Sequence, residues 1–410
     1  MLKRKNLYLL LISILIILLF NVFKLTPLSK ISTYLSFAIS SFGHILFYRK
    51  KHLFPKKIKY WYYLGLTTMF ISMIVGYLIY QQSFISGIVA NINFYNIGSV
   101  IVFFYFFLKK EISFIRLFSI MKYISWFLVV FIALMVIMDF KFINQSELTG
   151  NIVIVNAGKL SKDLTNFFGV YWLSLFLIKN NYKYLLFSLL FFGANHFYEI
   201  QRFVLLVDIL LIFISILIIR KSNRAIKVIV PALFSLGFIY IFLSSSSTGQ
   251  AIIDRFVEAT KLFTEDSNSI TDTSSAARVY EIDLAINKFR ESPLFGNGFY
   301  RASDANKVIG EEAYFHVSDV GIFGVLFSLG IFGVILFLQQ YRLIWKELKI
   351  KSKNHYQLCL TLSLVFLMLY SLLTARSINN YTYFFFLFSF YQMSLICNTP
   401  NIIKQDDKEK

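Results

Sequence analysis

Residues 278–336 read RVYEIDLAINKFRESPLFGNGFYRASDANKVIGEEAYFHVSDVGIFGVLFSLGIFGVIL, and in this stretch a polar segment meets an apolar one. All of its charged side chains lie in the polar part, which is interrupted by Pro293. The part from Val320 to Leu336 carries no charged residue and has about the length that crosses a bilayer core. The stretch therefore predicts a membrane span preceded by a folded polar segment outside the membrane.

The composition of the whole chain predicts a membrane protein. Hydrophobic residues make up 57% of it, charged residues only 15%, and the mean hydropathy is +0.64. A soluble domain of this length would need more charged surface. The net charge of +19 lies in short basic clusters between apolar runs, a pattern typical of polytopic membrane proteins and not of a nucleic-acid-binding face. We expect an all-α, polytopic integral membrane protein with no nucleic acid partner.

Long apolar runs mark the predicted spans. We predict about 12 transmembrane helices, because each run has a length that can cross a bilayer. No small-residue cleavage site follows the first run, so it is predicted to be a retained span and not a signal peptide. The predicted spans are residues 6–23, 31–48, 60–80, 84–108, 121–139, 164–178, 183–197, 203–219, 226–243, 320–338, 357–374 and 379–397.

Lysine and arginine residues predict the orientation of these spans. They are concentrated in the loops on the side of the two termini, and cytoplasmic loops carry such an excess. Both termini are therefore predicted to be cytoplasmic, and the long loop between the ninth and tenth spans to be extracytoplasmic. The predicted regions are the first nine helices (1–243), the extracytoplasmic loop with much of the functional site (244–318), the last three helices (319–397) and a cytoplasmic tail (398–410).

The long loop is predicted to be partly helical. Apolar residues at helical spacing cover 251–263, which we expect to lie at the outer membrane surface. A second helix is predicted to begin at a cap, Ser274 or Ser275, and to end before Pro293. Its polar side is predicted to carry Arg278, Glu281, Lys288 and Arg290, and its buried side Val279, Ile282, Ile286 and Phe289.

Two groups of glycines accompany this helix and the tenth span. Gly296 and Gly298 follow Pro293 and predict a tight turn of the backbone, because glycine accepts conformations that other residues avoid. The tenth span contains further glycines, which predict close packing against a neighbouring helix. These are Gly321, Gly324, Gly330 and Gly333.

The predicted topology selects the residues that can form an outer site. Of the 5 histidines, only His196 and His316 fall on the outer side, where Arg202, Arg278 and Arg376 also fall. Guanidinium groups bind phosphates through paired hydrogen bonds, and a histidine with a pKa near 6.5 accepts a proton at neutral pH. Snorkelling of these arginines to lipid phosphates is the alternative interpretation.

No metal or cofactor is expected from the sequence. No Cys/His cluster has the spacing of zinc ligands, and no Gly-rich phosphate-binding loop occurs. The 2 cysteines, Cys359 and Cys397, fall near the cytoplasmic ends of predicted spans, which is a reducing side. We therefore expect no disulfide bond.

The segment from Arg278 to Gly333 contains four features in a fixed order. They are an arginine, a short amphipathic helix, the sequence SPLFGNGF, and a histidine that precedes a G-x-x-G…G-I-x-G span. This order resembles the O-antigen polymerase and O-antigen ligase superfamily. Upstream, EIQRFVLLVDILL resembles the family's Ser-Arg segment at the start of a span, with Gln201 in place of the usual Ser. Val317 is a departure, because ligases of the family usually have a small polar residue directly after the histidine.

The resemblance implies a membrane glycosyltransferase that uses undecaprenyl-pyrophosphate-linked sugars, without a metal or cofactor. It implies catalytic roles for His316, which would take the proton of the acceptor hydroxyl, and for Arg202 and Arg278, which would hold the pyrophosphate. Asp319 would orient His316. The residues implied in substrate binding are Arg376, Asp319, Glu199 and Tyr314.

We favour a polymerase that joins lipid-linked repeat units of O-antigen, capsule or exopolysaccharide at the outer face of the bacterial inner (plasma) membrane. A ligase that transfers the finished glycan to lipid A core or to a protein is the closer alternative. A transporter or flippase of lipid-linked sugars is more distant, because it would need polar or charged residues deep in several spans. Expected partners are the lipid-linked oligosaccharides, membrane lipids, a chain-length regulator and a flippase.

Overall fold

The computed structural model is almost entirely α-helical in the residues that it describes. The expected all-α class is confirmed in its main part, and one two-stranded sheet is added to it. The structure describes residues 2–19, 29–138, 142–145, 152–155, 163–194, 207–213, 215, 273–301, 304, 309, 315, 317, 320–348, 354–374 and 376–397.

The helices and strands are labelled in chain order. Residues 207–213 are also helical, and Lys51–Leu53 form a short 3-10 helix. The strands are β1 Phe142–Gln145 and β2 Ile152–Val155. The helices are α1 Leu2–Leu19, α2 Ser29–Lys50, α3 Lys56–Tyr80, α4 Phe84–Ala90, α5 Ile92–Tyr95, α6 Ile97–Leu108, α7 Phe114–Ile137, α8 Asp163–Lys179, α9 Tyr182–Ala194, α10 Thr273–Glu291, α11 Gly321–Leu348, α12 His355–Thr374, α13 Arg376–Asn379 and α14 Tyr381–Cys397.

Four of the described helices are long and apolar enough to cross a membrane, and a bent pair makes a fifth when it is counted as one span. They correspond to the predicted third, fifth, tenth and eleventh spans. The total of about 12 spans stays a prediction, since the predicted ninth span, among others, lies outside the described residues. The four helices are Lys56–Tyr80 in α3, Phe114–Met135 in α7, Gly321–Lys346 in α11 and His355–Leu372 in α12.

The predicted fourth span is a broken helix. α4 and the segment Ile92–Leu108 are bent by 74° relative to each other. Polar side chains lie at the break: Nδ2 of Asn91 donates to the carbonyl of Gly87 at 2.9 Å, and the Ser40 hydroxyl donates to Oδ1 of Asn96 at 3.1 Å. Such side chains supply hydrogen bonds where the helical ladder is interrupted, which a membrane-embedded backbone needs.

The connection between α7 and α8 contains a β hairpin that the sequence patterns did not indicate. β1 and β2 are antiparallel, with Phe142 opposite Val155 and Gln145 opposite Ile152. β2 consists only of Ile and Val, whose branched side chains favour extended backbone. The hairpin lies in the loop that the charge pattern predicts to be extracytoplasmic.

α14 is a central helix of the described structure, because all its residues from Tyr381 to Ser394 are buried. It packs against α3, α6 and α12. The Tyr381 hydroxyl donates to the carbonyl of Trp61 in α3 at 2.8 Å, and the rings of Trp61 and Phe384 lie 5.1 Å apart. The many aromatic residues of α14 therefore fill the core of the protein instead of facing lipid.

α11 is flanked by the elements that carry two of the predicted arginines. α10, which contains Arg278, and α13, which begins with Arg376, both pack against α11. α3 lies beside it as well, since the Tyr60 hydroxyl donates to Oε1 of Gln339 at 2.6 Å. α11 is therefore the scaffold to which the candidate site is attached.

The predicted orientation can be tested with reporter fusions. A reporter that is active only outside the cytoplasm should be active when fused after Thr271 and silent when fused after Ser352, because the basic loops fix the cytoplasmic side. A reporter that works only in the cytoplasm should give the opposite result at both positions. Activity after Ser352 with silence after Thr271 would place His316 in the cytoplasm and contradict an outer site.

Candidate functional site

The candidate site is built around the turn at residues 292–299, called the GNG turn below, which follows α10. α10 ends shortly before Pro293, as predicted, since proline cannot continue the helical ladder. The Gly296 amide donates to the carbonyl of Ser292 at 2.9 Å, and the Ser292 hydroxyl donates to the carbonyl of Gly296 at 2.6 Å. Gly296 and Gly298 have φ values of 66° and 74°, a region that favours glycine. The prediction of a tight turn is confirmed.

The GNG turn docks into a break in α11. At Gly330 the backbone of α11 leaves helical geometry, with φ 60° and ψ −150°. The carbonyl of Phe327 accepts from the amide of Asn297 at 2.7 Å, and the carbonyl of Ser328 accepts from the amide of Gly298 at 2.8 Å. In an unbroken helix, both carbonyls would accept from amides four residues further along the same helix.

Hydrogen bonds also run in the opposite direction, from amides of α11 to carbonyls of the GNG turn. The amides of Ile331 and Phe332, which an unbroken α11 would use internally, donate to the carbonyls of Pro293 and Leu294 at 2.9 and 3.1 Å. The turn therefore satisfies backbone groups on both sides of the break that would otherwise be left without partners. SPLFGNGF and Gly330 of the tenth span, which belong to separate motifs in the sequence, form one structural unit.

This docking requires glycine at position 330. A Cβ atom at Gly330 would lie 2.6 Å from the carbonyl oxygen of Pro293 and equally close to the amide nitrogen of Gly296. The backbone conformation itself is one that other residues adopt only with strain. Gly330 therefore admits the GNG turn into the break, whereas the sequence predicted close packing against a neighbouring helix.

Gly330→Ala should destabilise the protein by about 3 kcal/mol or more, because a clash with two backbone atoms adds to backbone strain. Gly193→Ala is the matched control, since no atom lies within 4 Å of a Cβ atom built at Gly193. Thermal unfolding of both variants in detergent measures the difference. Equal unfolding midpoints would contradict the requirement for glycine at the break.

Asn297, which lies between the two glycines of the turn, joins three helices. Its Nδ2 donates to the carbonyls of Lys288 in α10 and Phe327 in α11, at 3.2 and 3.0 Å. Its Oδ1 accepts from the hydroxyl of Tyr80, the last residue of α3, at 2.7 Å. The sequence interpretation missed this residue. A polar residue between two turn glycines is the signal that could have found it.

The GNG turn also contacts α3 and α5 directly. The amide of Phe299 donates to Oγ of Ser72 in α3 at 2.8 Å. A Cβ atom at Gly298 would lie 2.6 Å from the carbonyl oxygen of Ser72, so the two backbones touch. The ring of Phe299 lies 5.9 Å from that of Phe94 in α5, beside the bend of the broken span. The turn is thus held between α3, α5 and α11, which fixes the direction of α10.

The buried side of α10 is shifted from the predicted one, because the four residues predicted to be buried are only half-buried: Val279, Ile282, Ile286 and Phe289. It begins at Thr273, so Ser274 and Ser275 lie in its first turn, and their prediction as caps is wrong. Glu281 is 2% exposed and Ala285 is 1% exposed, which places the centre of the buried side at these positions. The prediction of Glu281 on the polar side is therefore wrong, because contact with α11 decides which face is covered.

A small apolar cluster covers this buried side of α10. The cluster, called the outer cluster below, consists of Ala285, Phe315, Val320 and Phe327. The rings of Phe315 and Phe327 lie 4.5 Å apart, and Val317 packs against the cluster. Phe315 and Val317 are the sequence neighbours of His316. The outer cluster therefore anchors the chain on both sides of the predicted base.

Polar contacts fix the backbone that carries Arg376. The carbonyl of Asn379, the last residue of α13, accepts from Nδ2 of Asn93 in α5. Nδ2 of the next residue, Asn380, donates to Oδ2 of Asp163 at the start of α8, at 3.2 Å. α13 is thus tied to the broken span and lies beside α11.

The structure describes only two of the predicted site residues. Arg278 is half-buried in α10, and for Arg376 the position of the backbone in α13 is described. The elements that carry these two residues both pack on α11. The remaining predicted site residues lie outside the described residues, so their convergence stays a prediction: His316, Arg202, Asp319, Glu199 and Tyr314.

The described residues contain no group of three or more His, Cys, Asp or Glu side chains that could hold a metal ion. Both cysteines of the chain, Cys359 and Cys397, are free. Metal independence stays a prediction, because the predicted base His316 and the acidic site residues Asp319 and Glu199 lie outside the part of the chain that the structure describes.

The fold and the site define a polytopic helical membrane protein in which a polar helix is docked onto a broken span. Residues 187–338 match the O-antigen ligase family. The matched segment contains α10, the GNG turn, the outer cluster and most of α11. The resemblance to the O-antigen ligase and polymerase superfamily, whose members are glycosyltransferase-like enzymes, is confirmed. No curated protein matches the chain.

Proposed function

We propose that the protein is a polymerase that joins undecaprenyl-pyrophosphate-linked oligosaccharide repeat units into O-antigen, capsule or another exopolysaccharide. The reaction takes place at the outer face of the bacterial inner membrane, and both termini of the chain lie in the cytoplasm. Besides membrane lipids, the proposed partners are a flippase that supplies the lipid-linked units and a chain-length regulator.

The observation that carries this proposal is the docking of the GNG turn at Gly330, inside the segment that matches the O-antigen ligase family. The docking attaches α10, and with it Arg278, to the same helix that begins shortly after His316. Glycosyl transfer from a pyrophosphate needs a cation and a base at a fixed separation, because orientation supplies much of the rate. Attachment of both parts to α11 supports that arrangement.

The proposed reaction takes its driving force from the donor. An acceptor hydroxyl oxygen attacks the anomeric carbon, the bond from that carbon to the pyrophosphate oxygen breaks, and undecaprenyl pyrophosphate leaves with the bonding electrons. His316 takes the hydroxyl proton as general base. Arg278, Arg202 and Arg376 hold the pyrophosphate, on which negative charge grows as the bond breaks. The residues proposed to orient the base or bind sugar are Asp319, Glu199 and Tyr314.

Val317 favours a polymerase over a ligase. Ligases of the family usually have a small polar residue directly after the histidine, whereas Val317 is apolar and packs against the outer cluster. An apolar side chain in this packing cannot offer a hydrogen bond to an acceptor sugar. A ligase that transfers the glycan to lipid A core or to a protein is the second candidate.

A transporter of lipid-linked sugars is the more distant candidate. Such a protein lines a path through the membrane with polar or charged side chains from several spans. Among the described residues, Asp208 is the only buried charged side chain inside a predicted span. Buried uncharged polar side chains, such as Ser72, Asn166 and Gln392, do occur in several predicted spans, so the support for an enzyme over a transporter comes from the scarcity of buried charge.

Deletion of the gene followed by gel analysis of the surface glycan tests the proposal. Loss of a polymerase should leave a single repeat unit attached to the final carrier, because the unit can still be transferred but not extended. Loss of a ligase should leave no glycan on that carrier. An unchanged ladder of long chains would contradict both functions.

A further inference from the structure

Glu281 is an acidic residue buried on the same side of α10 as Ala285. It is 2% exposed and lies one helical turn before Ala285, a member of the outer cluster. A buried carboxylate is costly unless it is hydrogen-bonded or paired with a cation. An apolar residue would be the ordinary choice for packing at this position. The placement of Glu281 therefore indicates a role for its charge.

Tyr300 lies on one side of this carboxylate. Its ring packs against the outer cluster, 6.1 Å from the ring of Phe327. Burial raises the pKa of the Tyr300 phenol, and Tyr80 and Glu281 raise it further, so the phenol and the carboxylate are electrostatic neighbours. Tyr300 keeps its proton at neutral pH and remains a hydrogen-bond donor beside Glu281.

Arg278 lies on the same helix, three residues before Glu281. Residues at this spacing share one face of a helix, with Cβ atoms about 5–6 Å apart. Arg278 is half-buried and Glu281 is buried, so Arg278 lies at the edge of the buried side of α10 that contains Glu281. A guanidinium carries five N–H donors, so it can bond a carboxylate along one edge and a phosphate along another.

We propose that Glu281 is a positioning residue that holds the Arg278 guanidinium in place for the donor pyrophosphate. The inference rests on the proposed function, since it takes the lipid-linked pyrophosphate as the ligand of Arg278. Glu281 does not touch the donor. It fixes a long, flexible side chain before binding, which lowers the conformational entropy that binding would otherwise cost.

The test is a double-mutant cycle on the binding of undecaprenyl pyrophosphate to the purified full-length protein in nanodiscs. The dissociation constants of the wild type, Glu281→Gln, Arg278→Ala and the combined variant are compared. Glu281→Gln should weaken binding roughly 10-fold, the size expected for one charge-assisted contact. In the Arg278→Ala background the same change should alter the dissociation constant less than about twofold, because the residue that Glu281 positions is gone.

Asp283→Asn is the matched control, because Asp283 is an exposed carboxylate on the same helix. It should leave binding unchanged. Glu281→Leu replaces the buried charge by an apolar side chain, which is compatible with folding, and it should weaken binding as much as Glu281→Gln. Thermal unfolding midpoints of all variants separate a loss of affinity from a loss of structure.

The positioning role would be overturned if Glu281→Leu bound undecaprenyl pyrophosphate with wild-type affinity. It would also be overturned if Glu281→Gln lowered the affinity equally in the wild-type and Arg278→Ala backgrounds. Either result would leave the proposed function intact. A wild-type protein that does not bind undecaprenyl pyrophosphate would overturn both. Coupled losses at Glu281 and Arg278, with Asp283→Asn unchanged, would establish that Glu281 acts on donor binding through Arg278.

Discussion

Arg278→Ala is expected to stop chain growth while the protein remains in the membrane at its wild-type level. Arg278 is proposed to bind the pyrophosphate where negative charge grows during bond cleavage, and removal of such a group costs at least roughly 10²-fold in rate. A deletion strain that carries the variant should therefore show single repeat units on a glycan gel. Immunoblots of the membrane fraction check the protein level. Arg202→Ala, outside the described residues, is expected to give the same loss.

Arg290→Ala supplies the matched control, because Arg290 is an exposed arginine near the end of the same helix. It should retain long chains. Arg278→Lys should recover little, since a single ammonium group cannot reproduce the paired hydrogen bonds of a guanidinium. Near-normal chain growth in Arg278→Lys would indicate simple attraction to a negatively charged headgroup and would contradict a shaped pyrophosphate site.

Several features of the site follow from local signals in the sequence. Pro293 ends α10 because proline removes a ladder hydrogen bond, and Gly296 and Gly298 turn the chain because glycine accepts a positive φ. Each effect depends only on the backbone of the residue itself. The spans that form α3, α7, α11 and α12 likewise follow from the length and polarity of apolar runs.

The break in α11 could not be predicted from such signals. Gly330 is one of several glycines in the span, and glycine in a span usually allows close packing of helices. The break is stable because Asn297 and Gly298, from an earlier part of the chain, supply amides to the carbonyls that it frees. An exchange of hydrogen bonds between two distant segments has no signature in either segment alone.

The burial of Glu281 likewise could not be predicted from local sequence signals. Helical periodicity places an acidic residue on the solvent side, because glutamate is rarely buried in proteins. Glu281 is nevertheless buried in the folded protein, in which α10 packs on α11. Tertiary contacts therefore bury a side chain that helical periodicity places at the surface.

His316→Ala is expected to lower the rate of chain growth roughly 10²–10⁴-fold, the usual contribution of general-base catalysis. Binding of the lipid-linked donor should change little, because the arginines carry the contacts to its charge. Purified enzyme with synthetic lipid-linked repeat units separates the two effects, since donor affinity and product chain length are measured independently. Phe315 and Val317 anchor the chain on both sides of position 316, so the substitution should leave the surrounding packing in place.

His316→Gln separates proton transfer from hydrogen bonding. Glutamine forms hydrogen bonds but does not take up a proton at neutral pH, so this variant should be as inactive as His316→Ala if His316 is the base. The wild-type rate should also fall as the pH is lowered and His316 becomes protonated, because a protonated imidazole no longer accepts a proton. A His316→Gln enzyme that builds long chains at a near-normal rate would exclude the base role. The polymerase proposal would survive that result, since Asp319 and Glu199 are the next candidates for the base and their substitution in the same assay would distinguish them.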